Sequence, residues 1–184
     1  MMKKNETEKL QYEHVTHTFG PVYDHNSKIL ILGSMPSVKS REQNFYYGHP
    51  QNRFWKVMAA VTSESVPDTI EEKRSFLLRN RVALWDVIES CDIIGSSDSS
   101  IRNVKENDMR VILNTADIQA IFVNGGKAYE LFVRYCSSYL AGDKKTKLIR
   151  LPSTSPANAA WSLDRLTGTW ENELSAYLTT GRIK

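Results

Sequence analysis

The chain has no apolar run close to the roughly 18 residues needed to cross a bilayer, and its start, MMKKNETEKLQYEH, has no apolar signal-peptide core. A cytoplasmic protein with no membrane association is the expectation. Two cysteines, Cys91 and Cys136, are too few for a disulfide framework or a four-cysteine metal site, and reduced structural thiols are expected. No internal repeat and no Pro/Gly linker interrupts the sequence. The formal charge of +3 permits an anionic partner without demanding one. No Gly-Lys-Ser/Thr follows a glycine-rich loop, which excludes a nucleotide-binding P-loop. An aspartate-rich calcium site of the kind used on free nucleosides is also absent.

With 184 residues, 41% of them hydrophobic, the chain can bury a substantial core. One domain is expected over residues 17–184, preceded by a polar, frayed segment over 1–16. Four short apolar runs read as strands: KILILG from Lys28, VALWDV from Val82, IQAIFV from Ile118 and KLIRLP from Lys147. Continuous apolarity, rather than alternation, suits parallel strands covered on both faces. Helical patterns lie between and after them, over Arg53–Val61, Thr69–Leu78, Lys105–Asn114, Lys127–Leu140 and Leu163–Leu178. The alternation predicts a three-layer α/β/α sandwich around a central, mainly parallel four-stranded sheet. Ligands of such sheets bind beyond the carboxyl ends of the strands.

Four segments fall there. In GSMPS, Gly33 and Pro36 suit a tight strand-end turn. In FYYGHPQNRFW the successive rings cannot all point inward, so one or two should line a cleft, where a flat ring can stack on a nucleobase. Asn52 precedes the helix RFWKVMAAV, where it is either an N-cap or a catalytic amide; Trp55 reads as core. Asn124 in FVNGGKAYELF ends a buried strand, where its amide either makes a turn or meets a ligand edge. LPSTSPANAAW is stiff and rich in hydroxyls, fit for a nucleic-acid groove or for a plain surface turn.

Taken together and in this order, these segments resemble the uracil-DNA glycosylase superfamily, and most closely its hypoxanthine-DNA (deoxyinosine) glycosylase branch. The family fold is a three-layer sandwich. In the mismatch-specific relatives the first turn carries an Asn that positions the attacking water; here Met35 occupies that place, between Gly33-Ser34 and Pro36, and a thioether cannot orient water. Tyr47 matches the aromatic residue that stacks on the extruded base, and Gly33, Ser34 and Met35 form the turn beside it. The branch lacking the first Asn relies on one further along, which the resemblance places at Asn52, with Asn44 as the rival. Asn124 matches the base-reading amide. Leu151 replaces a polar residue that would favour a departing pyrimidine. Ser153, Thr154 and Ser155 match the loop that enters the duplex and supports phosphates, and Lys127 is a further candidate phosphate contact.

The resemblance implies a DNA repair glycosylase acting on double-stranded DNA. It would flip out a deaminated base, chiefly hypoxanthine, and hydrolyse the glycosidic bond to leave an abasic site. No lysine stands as a Schiff-base nucleophile, so a monofunctional enzyme is expected, without cofactor or metal, acting as a monomer. Asp98 is either a second water ligand or base, or a loop-fixing group, and His49 either a donor to the base or a phosphate, or structural. The alternatives are a mismatch uracil or thymine glycosylase and, because of Met35, a DNA-binding module that has lost its chemistry.

Overall fold

The structure is a computed structural model that describes residues 11–95, 97–142 and 145–178. Along the chain run β1 (Glu13–Thr16), β2 (Ile29–Gly33), α1 (Val38–Gln43), α2 (Phe54–Thr62), α3 (Ile70–Arg79), β3 (Val82–Asp86), β4 (Ile88–Ile93) and β5 (Arg102–Glu106). There follow α4 (Arg110–Leu113), β6 (Ala120–Asn124), α5 (Gly126–Leu131), β7 (Lys147–Leu151) and α6 (Leu163–Leu178). A parallel sheet in the order β3-β2-β6-β7 forms the centre. Every residue of β2 and β3 is buried, as expected where helices cover both faces. All four strands read from apolar runs are present, and the sandwich is the one those runs imply.

The helices start and pack for local reasons. Thr69 accepts from the Glu72 amide while the Glu72 carboxylate accepts from the Thr69 amide, a capping box that opens α3. Fully buried Phe54 on α2 meets Trp170 on α6 edge to face, with ring centroids 5.9 Å apart. The helical pattern over 127–140 divides into α5, a π-type turn over Phe132–Cys136 and a 3-10 turn over Ser137–Leu140. Cys91 and Cys136 are buried and unbridged.

Two expectations are corrected. Of the segment 1–16 expected to fray, residues 1–10 lie outside the described part, but Glu13–Thr16 forms β1, paired antiparallel with β4. The helix expected over Lys105–Asn114 is instead β5 followed by the single turn α4. Asn107 enforces the break: its side-chain amide donates to the Asp86 and Ile88 carbonyls at 2.9 and 3.0 Å, and its backbone amide to the Val87 carbonyl at 2.8 Å. The outcome is a second, antiparallel sheet β1-β4-β5. Asp86 lies where the chain leaves the first sheet for the second, separated from β4 by Val87 alone.

Candidate active site

Beyond the carboxyl ends of β2, β3 and β6 lies a cavity of about 370 Å³, large enough for a small ligand. Its lining includes Gly33, Ser34, Met35, Tyr47, Asn52 and Asn124, together with Asp86, Asp98, His49 and the loop Ser153–Ala157. The GSMPS turn is fixed by strand-end hydrogen bonds: the Val87 amide donates to the Gly33 carbonyl at 2.9 Å and the Ile88 amide to the Ser34 carbonyl at 3.1 Å. Asn44 is exposed and stands outside this lining; its carbonyl accepts from the Thr18 hydroxyl at 3.3 Å. The aromatic stretch divides as its crowding requires. Phe45, Phe54 and Trp55 are core, while Tyr46 and Tyr47 reach the cavity. Tyr47 takes a left-handed backbone (φ 54°) and stacks on Phe54 at 3.9 Å. For a bulky residue that backbone is strained.

One hydrogen-bond network joins three of the loops. The Asn124 amide nitrogen donates to the Tyr47 hydroxyl and to Thr154 Oγ1, both at 3.0 Å, and its carbonyl accepts from the Thr154 amide at 3.0 Å. Thr154 Oγ1 donates in turn to the Asn52 carbonyl at 3.0 Å, which also accepts from the Phe54 amide at 3.0 Å. Donor and acceptor counts then fix what each amide can offer a ligand. Both lone pairs of the Asn52 carbonyl are used, and its NH2 group has no protein partner among the described residues. Asn52 is therefore both a cap-like acceptor at the start of α2 and a donor available to the cavity. Asn124 is the reverse case. Its two N–H groups are committed and one carbonyl lone pair remains, so it can accept from a base N–H but cannot donate to a base carbonyl.

Thr154, expected to contact DNA, is fully buried and holds the two asparagines in register. Ser153 and Ser155 are half-buried; each hydroxyl accepts a loop amide, from Ser155 and Ala157 respectively, at 3.2 Å, and keeps its own proton to donate. Lys127 pairs with Glu130 at 3.2 Å and is one of the charges acting on Asp98. His49 lines the cavity, its Nδ1 accepting from the Gln51 amide at 3.2 Å.

The loop is clamped by Arg53. Its guanidinium donates to the carbonyls of Trp161, Ser155, Asn158 and Thr154, and the Arg53 amide donates to the Thr154 carbonyl at 3.1 Å. A planar fork with five donors suits such a set of acceptors, where an ammonium would not. Arg53→Met is expected to destabilise the fold by roughly 3 kcal/mol, since charge-assisted bonds contribute most and the freed carbonyls lose their partner. Urea denaturation of the variant beside the wild type measures it.

The cavity lining carries the carboxyls of Asp86 and Asp98 beside Lys39 and His49. Partial burial of its carboxyl in the cleft lifts Asp98 above the usual carboxylate range, with the Asp86 charge adding to the rise; the Ser34 hydroxyl, donating at 3.2 Å, and Lys127 oppose it. Burial first, and the Asp86 charge second, push the Tyr46 and Tyr47 hydroxyls well above their ordinary range.

Asp86 itself went unread in the sequence. It closes the run VALWD, is 4% exposed, and accepts from or donates to His17 Nε2 through Oδ2 at 2.9 Å. Its other oxygen lies so close to Gly33 that a Cβ there would stand 2.3 Å away. The available signal was a lone carboxylate ending a fully apolar strand, because a buried charge needs a partner.

This fold, with a polar cavity at the strand ends and an asparagine network around it, is that of a base-excising glycosylase. The chain belongs to the uracil DNA glycosylase superfamily, whose family profile matches residues 21–177. It is 37% identical over 157 residues to a Methanosarcina acetivorans protein named hypoxanthine DNA glycosylase, covering 83% of this chain and 94% of that one. A Methanosarcina barkeri protein of the same name is 34% identical over 114 residues, covering 61% of this chain and 72% of the relative. A solution NMR structure of an M. acetivorans protein, described provisionally as a uracil DNA glycosylase, superposes with a TM-score of 0.70 at 34% identity. That match covers 87% of this chain and 94% of the other.

Proposed function

We propose that the protein is a monofunctional DNA glycosylase that extrudes a deaminated base, chiefly hypoxanthine, from duplex DNA and cleaves its glycosidic bond with water. The carrying observation is the Asn52 amide, held by Thr154 and the Phe54 backbone with its NH2 group unclaimed at the cavity. Extrusion costs a few kcal/mol and least at a mispaired base. Tyr47 gives the extruded base a ring to lie against, and the free lone pair of Asn124 accepts from hypoxanthine N1–H. The sugar gains positive charge as the bond breaks. A water whose oxygen accepts from the Asn52 NH2 group keeps a second lone pair for C1′. Asn52 then acts by orienting the water and not by taking its proton, since its carbonyl is saturated. The path is dissociative, and Ser153 and Ser155 supply hydroxyl donors toward flanking phosphates.

The test is a set of duplexes that each carry one hypoxanthine, uracil, thymine mismatch or xanthine, incubated with excess enzyme and then cleaved at abasic sites with alkali. Hypoxanthine duplexes are expected to be cut fastest. Preferential cutting at uracil would replace this reading with the mismatch uracil glycosylase, and no cutting anywhere, with abasic DNA still bound, would leave the inert DNA-binding module.

A further inference from the structure

The pair His17–Asp86 has no part in the reaction as described so far. Its side chains are only 2% and 6% exposed, their contact is 2.9 Å, and Asp86 nevertheless lines the cavity. His17 Nδ1 is the one buried side-chain nitrogen or oxygen without a partner among the described residues. Leaving such an atom unpaired is costly. The ring is nonetheless held in place, packed edge to face on Phe19 at 4.5 Å and tilted against Tyr46 at 5.9 Å. Asp86 is held from behind as well, since Asn107 brackets its carbonyl and that of Ile88. The fold thus immobilises an imidazole whose polar contact is this carboxylate, and sets Asp86 in the lining of the ligand space.

We propose that Asp86 is a catalytic acid that delivers the proton shared with His17 to N7 of the departing purine, and that His17 is its positioning residue. This rests on the glycosylase reading above. The chemistry of the lining argues for an acid. Asp86 and Asp98 offset Lys39 in the lining and Lys127 beside Asp98, so the cavity offers a base leaving as an anion little net positive charge. A base that leaves neutral needs none. Hypoxanthine has an imidazole-ring lone pair at N7 to receive a proton; uracil has none comparable. Asn52 stands with Thr154 on the loop wall and holds the water there, which leaves the strand-end wall, where Asp86 abuts Gly33, to the base.

The step balances. The proton moves from the Asp86–His17 pair to N7, the electrons of the C1′–N9 bond go to the purine ring, and hypoxanthine leaves neutral. Water adds to the sugar cation and loses a proton to solvent, and solvent returns one proton to the pair. The titratable groups facing Asp86 are His17, Tyr46, Tyr47 and Asp98, with Lys39 and His49 also in the cavity lining.

The experiment is single-turnover excision of hypoxanthine with excess enzyme, across about pH 5 to 9, for wild type, Asp86→Asn and His17→Gln. Abasic-DNA binding serves as the check on folding. The wild-type rate is expected to fall on the alkaline side, as reliance on an acid catalyst requires. Asp86→Asn is expected to be slower by about 10²-fold or more and to lose that limb. His17→Gln keeps a donor to Asp86 but removes the imidazole as a proton source, and it is expected to lose the wild-type alkaline limb while still binding abasic DNA. A wild type inert on hypoxanthine removes the hypoxanthine reading and the proton's acceptor with it. An active wild type whose pH profile is shared by Asp86→Asn, or whose rate rises with pH along a limb that Asp86→Asn abolishes, overturns the acid role alone.

Discussion

Asn52→Ala is expected to lower the single-turnover rate of hypoxanthine excision by about 10²- to 10³-fold, the usual consequence of removing one preorganised donor at a reacting centre. The substitution deletes the NH2 group proposed to hold the water. It also frees the Thr154 hydroxyl and the Phe54 amide, which both donate to the Asn52 carbonyl. Losing that cap-like acceptor costs about 1 kcal/mol of stability. A loss of that size leaves the protein folded under assay conditions, so a large drop in rate reports chemistry. Rapid-quench kinetics with enzyme in excess separates the two, because binding is then saturated. Met35 makes the expectation sharp: it lines the cavity in the turn after β2, and its side chain has no group that could replace the amide.

Gly33→Ala is expected to be nearly as damaging, by a different route. The added methyl would stand 2.3 Å from Asp86 Oδ1 and 3.3 Å from the Tyr47 hydroxyl. The carboxylate cannot retreat freely, because its other oxygen is bonded to His17 and the backbone around it is held by Asn107. Either the carboxylate turns or the strand end moves. Overpacking of this kind costs about 1–3 kcal/mol of stability, and a displacement of about 1 Å at the reacting groups costs about 10²-fold in rate. Denaturation midpoints and excision rates measured together would show both losses. An alanine variant with wild-type rate and stability would mean that Asp86 has room the structure denies it.

The legible part of the fold was the part whose sequence signal is local. Strands β2, β3, β6 and β7 are continuous apolar runs because the sheet is covered on both faces, and such runs have little alternative. The antiparallel sheet gives no such signal. Its strand β4 buries only Ile88, Cys91 and Ile93, and β5 has no fully buried residue, so neither run is apolar enough to declare itself. The misplaced helix arose from Val111, Ile112 and Leu113, which do form a helical turn, and from residues before them that the Asn107 bracket holds extended. Nothing local in the sequence shows that an asparagine will bond carbonyls 19 and 21 residues away.

The site was legible to the extent that it lay at strand ends. Tyr47, Asn52 and Asn124 come together as the positions suggested, but the partition of their hydrogen-bonding capacity did not follow from position. Thr154 decides it, by taking a hydrogen bond from one asparagine and giving one to the other. Its identity as a buried linker needed the loop's path, which Arg53 sets through carbonyls over 100 residues away in sequence. His17 and Asp86 are 69 residues apart, and only the two-sheet topology brings them into contact.

The most direct measurement is a crystal structure of the wild-type protein with a duplex carrying 2′-fluoro-deoxyinosine, a sugar whose fluorine slows bond cleavage. The expected density shows hypoxanthine out of the stack and in the cavity, with a water about 3 Å from the Asn52 amide nitrogen and in line with C1′. A base still stacked in the duplex, or an Asn52 amide with no path to C1′ through one water, would contradict the assignment of hydrolysis to this residue.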